Sequence, residues 1–218
     1  MEVNKIYQEL QDLINKNSSY KGSPITKRQF VDLYNNVSIT YIVNLLKNRN
    51  LDDLRYLTSL RKSKELDKGG CEDKYCIFKL PKDYLSIINL SSEFKGDGCL
   101  VMSEHLEEVR PEEVDIYYND SNTEPSIDYG ESIYTLYNGG IKLFKKNFEI
   151  NKAVLDYYKT PEKIDIKGYK KSNGSDSVDL TPTDLPQNII LNIISEMALK
   201  FVQSVENTTQ WQMLNSNK

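Results

Sequence analysis

The sequence predicts an α+β fold in which N-terminal helices and a long C-terminal helix pack with a small antiparallel β domain. Three observations predict it. Apolar residues recur at helical spacing through the first quarter of the chain, β-branched and aromatic runs punctuated by turn residues fill the middle, and a wide apolar stripe returns near the C-terminus. Strand signals grouped together, instead of alternating with helices, argue against βαβ units. The organisation is a helical segment over 1–66, an antiparallel β domain over 75–166, and a closing helix and tail over 184–218 that returns to the helical layer.

From Val3 to Asn17 the apolar residues Val3, Ile6, Tyr7, Leu10, Leu13 and Ile14 fall on one helical face. A Ser/Asn/Gly-rich stretch and Ser23-Pro24 then break the pattern, and Thr26 offers a cap for the next helix. That helix runs from Lys27 to about Asn48 on the stripe Phe30, Leu33, Tyr34, Val37, Tyr41, Ile42, Leu45 and Leu46. Leu51, Leu54, Leu57 and Leu60 predict a short third helix.

Lys62 to Lys74 is charged, glycine-containing and aperiodic, which predicts a loop or domain junction. Cys76 to Leu80 predicts a strand ended by Pro81, Asp83 to Ile88 a short helical or extended piece, and Cys99 to Met102 another strand. Ile133 to Tyr137, the turn pair Asn138-Gly139 and Ile141 to Phe144 predict a β-hairpin, because that pair accepts the positive φ of a tight turn. Ala153 to Tyr158 is a further strand, stopped by Thr160-Pro161. Lys167 to Thr183 is polar and predicts a surface excursion. Leu185-Pro186 then opens a helix of about five turns, with Ile189, Ile190, Ile193, Ile194, Met197, Ala198, Phe201, Val202 and Val205 as its apolar stripe. Gln210 to Lys218, which carries Trp211, Met213 and Leu214, predicts a mobile polar end.

The bulk composition narrows the function classes. A net charge of -4, from 28 basic and 32 acidic side chains, lacks the dense cationic surface that gripping nucleic acid requires. A wall past which DNA slides is a different matter, since neutrality or mild repulsion suits it. The N-terminus has no apolar signal-peptide core, and no run reaches the roughly 18–20 apolar residues of a membrane span, so a soluble protein made in a cytoplasm is expected. Three cysteines, Cys71, Cys76 and Cys99, are expected to be reduced thiols.

No reactive constellation emerges. The spacing of Cys71, Cys76, Cys99 and His105 lacks the paired knuckle of a zinc site, so neither metal nor cofactor is expected. His105 lies among Glu104, Glu107 and Glu108 with no nucleophile elbow. Gly69-Gly70 and Gly139-Gly140 lack the rest of a phosphate loop. Tyr134, Tyr137, Tyr157 and Tyr158 suit a half-buried sheet that also supplies subunit contacts, although a glycan-binding face could use the same residues.

Three segments carry a resemblance: Leu80-Pro81-Lys82-Asp83-Tyr84-Leu85, the hairpin Asn138-Gly139-Gly140-Ile141, and Leu155-Asp156-Tyr157-Tyr158-Lys159-Thr160-Pro161, followed by a polar loop, Leu185-Pro186 and a long helix. In this order they resemble the head-to-tail connector (adaptor, gatekeeper or tail tubular) proteins of short-tailed bacteriophages and the neck ring proteins of crAss-like phages. The resemblance implies a non-enzymatic virion protein, assembled in the bacterial host cytoplasm. Its copies would form a ring, usually twelvefold, that docks to the portal protein, contacts other neck or tail proteins, meets DNA only transiently in the lumen and touches no membrane. On that reading Ile190, Ile194, Phe201, Val205, Trp211, Met213 and Leu214 are the candidate portal or subunit interface. Another tail-completion or capsid accessory protein is the neighbouring reading, and a glycan-binding module the more distant one.

Overall fold

The computed structural model of the chain describes residues 1–17, 24–48, 51–96, 99–103 and 105–216. In chain order the elements are α1 (Val3–Asn17), α2 (Lys27–Asn48), α3 (Leu51–Arg55), a 3-10 turn (Thr58–Leu60), β1 (Arg61–Glu65), β2 (Asp67–Cys71), β3 (Tyr75–Lys79), β4 (Tyr84–Gly96), β5 (Cys99–Ser103), β6 (His105–Glu108), α4 (Val114–Asn119), β7 (Glu131–Tyr137), β8 (Gly140–Phe144), β9 (Glu149–Lys159) and α5 (Gln187–Ser216). This is an α+β protein with two compact units, one formed by Met1–Leu60 with Pro161–Lys218 and the other by Arg61–Thr160.

In the helical unit, α5 packs on α1 and α2. Val3, Ile6, Leu10 and Ile14 of α1, Phe30, Tyr34, Val37 and Ile42 of α2, and Ile189, Ile190, Ile193, Ile194 and Met197 of α5 are all buried. The start of α2 is a capping box: the Thr26 amide donates to Gln29 Oε1 at 3.0 Å and the Gln29 amide donates to Thr26 Oγ1 at 3.3 Å. The Tyr7 hydroxyl donates to the Ile25 carbonyl at 2.8 Å, and its ring packs 5.1 Å from that of Phe30, which ties α1 to the start of α2. The expected third helix over Leu51 to Leu60 is broken into α3 and the 3-10 turn, with the Leu57 amide donating to the Leu54 carbonyl at 3.1 Å and the Leu60 amide to the Leu57 carbonyl at 3.0 Å.

The polar excursion after β9 is organised by one carboxylate. Asp165 is buried; its Oδ1 accepts from the Ile166 amide at 2.9 Å and the Tyr169 hydroxyl at 2.8 Å, while Oδ2 accepts from the Val178 amide at 3.2 Å and Lys171 Nζ at 2.7 Å. Burial opposes its charge, but these donors outweigh it and hold the carboxyl below the usual range. Side-chain bonds of this kind order a segment whose apolar content is too low to do so.

The second unit is a two-sheet sandwich. One sheet runs β1-β9-β4-β5 and the other β2-β3-β8-β7-β6; every pairing is antiparallel except β6 with β7. Leu90, Phe94, Ala153, Leu155 and Tyr157 from the first sheet close on Cys76, Phe78, Tyr134, Ile141 and Leu143 from the second. Alternation of inward residues along β9 is interrupted between Ile150 and Ala153, where a bulge against β4 absorbs the extra residue and keeps both inside. In the β7–β8 hairpin Asn138 has φ 27° and Gly139 φ 77°, the two positive values that such a turn demands. On the far side of the second sheet, Val109, Ile133 and Phe144 pack with Tyr75, Val114, Tyr117 and Tyr118, so α4 covers part of that face.

Three expectations are corrected here. Lys62 to Lys74 is not a loop: it supplies β1 and β2, whose residues are exposed throughout and so show no apolar periodicity. Cys71 and Cys76 are not free thiols: the β2–β3 register sets them directly opposite each other, and they form a disulfide. The C-terminal helix is longer than five turns, with 30 residues reaching Ser216 through the expected mobile end. The Asp83 to Ile88 piece is extended, and as β4 it continues to Gly96.

Candidate interaction surfaces

Two of the three motif segments that carry the resemblance meet in the sandwich unit. Asp83 accepts from the Tyr157 hydroxyl at 2.9 Å and from Lys62 Nζ at 2.6 Å, and its carbonyl accepts from the Thr160 amide at 2.7 Å. Tyr84 stacks in tilted geometry 6.3 Å from Tyr157. The Lys62 ammonium, above all, holds the Asp83 carboxyl below its ordinary range, and burial followed by the bond to Asp83 pushes Tyr157 up to about 12. This joint clamps the start of β4 to the end of β9.

The sheet tyrosines lie mostly inside. Tyr134, Tyr157 and Tyr158 are buried, so they build core and do not form an exposed contact face. Burial and the Glu108 charge raise Tyr134 further above its ordinary value. Arg61 covers Tyr158, with its Nε 3.2 Å from the hydroxyl. Tyr137 is half-buried, and Lys142 lies 5.1 Å from its ring and 4.6 Å from that of Tyr75. Lys142 therefore holds the half-buried Tyr137 ring in a cation–π contact.

The expected interface residues of α5 divide. Ile190 and Ile194 are wholly buried against the chain's own helices, because the stripe's centre is needed to hold α5 to α1 and α2. Phe201 is half-buried. Val205, Trp211, Met213 and Leu214 lie on the helix, but their side chains are outside the described residues. Two leucines that a stripe reading passes over face outward instead, Leu191 at 41% and Leu199 at 64% exposure. Leu13, Ser195, Ala198, Leu199 and Val202 line an apolar groove of about 280 Å³ between α1 and α5.

A second apolar surface belongs to the sandwich. On the edge strand β5, Leu100 and Met102 are 62% and 54% exposed, and Tyr129 is 77% exposed beside them, where the Ser103 hydroxyl donates to the Gly130 carbonyl. On the second sheet a cleft of about 550 Å³ is lined by Leu106, Glu107, Asn122, Thr123, Glu131, Ser132 and Ile133. Alternation of exposed Leu and Met in a strand ending at Ser103 is the signal that could have marked this edge in the sequence.

Among the described residues, no group of three or more His, Cys, Asp or Glu side chains is placed to hold a metal ion, and no helix is long and apolar enough to cross a membrane. The side chains of Cys99 and His105 are outside the described residues. No family model matches the chain, and no curated protein matches it.

Proposed function

We propose that the chain is a structural subunit of a phage neck or connector ring, which docks to the portal protein and extends the DNA channel between head and tail. The observation that carries this reading is the apolar groove between α1 and α5. α5 packs on α1 and α2 through Ile189, Ile190, Ile193, Ile194 and Met197, while Leu199 stands 64% exposed at the groove. An apolar groove with an exposed leucine in its lining is suited to a partner protein. The exposed β5 edge supports the same reading, since a closed ring needs two different complementary sides on each subunit.

Light scattering of the purified chain, alone and mixed with the portal protein of the same phage, tests this. The expected mass is a large multiple of 25.2 kDa in at least one of the two samples. A monomer in both contradicts the proposal.

A further inference from the structure

The strand order of the sandwich creates two margins. The chain passes from β1 to β2 at Leu66, so these edge strands share one margin, and from β5 to β6 at residue 104, so those two share the opposite one. Each margin leaves one side of its strand backbones unpaired within the unit.

The margins differ in charge. Residues 61–71, which form β1 and β2, hold the four basic side chains Arg61, Lys62, Lys64 and Lys68 against Glu65 and Asp67. Residues 104–131, from the β6 margin through α4 to the start of β7, hold ten acidic side chains and one basic one, Arg110. With the whole chain at only -4, this segment holds a net of nine negative charges and the remainder is positive. Charged edge strands also protect sheets from random pairing, a role that either sign or a mixture performs equally well. A net positive β1/β2 segment set against a net negative segment that includes β6 is what that role does not require.

The acidic margin is also shaped as a receptor. Glu107 and Glu131 line the cleft of about 550 Å³, and neither has an ion-pair partner among the described residues. Leu100 and Met102 are exposed on the outer side of β5, opposite Val101, which pairs with the buried Phe94. On the other margin Lys64 is exposed and has no ion-pair partner among the described residues.

We infer that the sandwich units associate head to tail, with the β1/β2 margin of one copy seated on the β5/β6 margin of the next and Lys64 directed at the Glu107–Glu131 cleft. The occupant is a second copy of this chain. Two unlike surfaces on one subunit generate a heterologous contact, which closes into a ring or propagates as a filament. This inference rests on the ring reading and specifies which faces make it.

Charge reversal in the full chain tests it, read as the association constant by sedimentation velocity at low and at moderate salt. Lys64→Glu alone and Glu107→Lys alone are each expected to weaken self-association about tenfold or more, with circular dichroism and melting unchanged. The double variant Lys64→Glu/Glu107→Lys, in which each copy again offers opposite charges, is expected to recover most of the loss. Wild-type association should weaken as salt rises. Single reversals that associate like the wild type, or a double variant no better than either single one, overturn the margin contact while leaving the ring reading standing. A wild-type chain that stays monomeric with and without the portal overturns both.

Discussion

Tyr157 donates its hydroxyl to Asp83 across 2.9 Å, linking strands 74 positions apart in the chain. Lys62 completes the group from β1, so three strands of the four-stranded sheet converge on one carboxylate. Tyr157→Phe and Asp83→Asn are each expected to lower the unfolding free energy by about 1 kcal/mol at neutral pH. A double-mutant cycle in urea should give a favourable coupling, and additive losses would show the two groups to be independent.

The pH dependence of this joint has a definite sign. Asp83 has a folded value below its unfolded one, so its contribution is present above pH ~3.9 and is lost as pH falls through the folded value. Tyr157 has a folded value raised to about 12, so its contribution is present below pH ~10 and is lost as pH rises toward that value. Urea melts across the alkaline range should show a decline that Tyr157→Phe reduces.

The Cys71–Cys76 disulfide closes the β2–β3 hairpin over a short loop. For a loop this small, chain entropy gives about 2 kcal/mol of stabilisation. Reduction should lower the melting temperature of the wild type and leave a Cys71→Ser/Cys76→Ser variant unchanged. Peptide mapping without reductant should find Cys71 and Cys76 joined and Cys99 outside that bond.

Two positions on α5 separate fold from surface. Ile194 is wholly buried while Leu199, five positions on and about 140° around the helix, is 64% exposed. Ile194→Asp is expected to cost more than about 4 kcal/mol and to abolish a cooperative melt. Leu199→Asp is expected to change stability by less than about 0.5 kcal/mol but to weaken binding to a partner that fills the groove. Calorimetry and co-sedimentation with the portal protein check the two effects independently.

Much of the fold was legible in the sequence because it rests on local signals. Thr26 before α2 signalled a cap, Asn138-Gly139 signalled a turn, and the apolar stripe after Leu185-Pro186 signalled α5. β1 was not legible, since Arg-Lys-Ser-Lys-Glu has no buried face and is held as a strand by pairing with β9. The disulfide depended on the same hidden pairing: only once β2 opposes β3 do Cys71 and Cys76 face each other. Along the α5 stripe, which residues turn inward and which turn outward is decided by where α1 and α2 pack against it. Whole-chain charge concealed the acidic run at 104–131, because the net positive remainder offsets more than half of it.

The proposed function requires that copies of this chain fit together around a channel at the phage neck. A cryo-electron reconstruction of the intact particle tests it most directly. A closed ring of this chain immediately beneath the portal, with helical units and β-sandwiches repeated around the axis, is the expected result. Mature particles without the chain, or with it placed as isolated copies away from the neck, would contradict it.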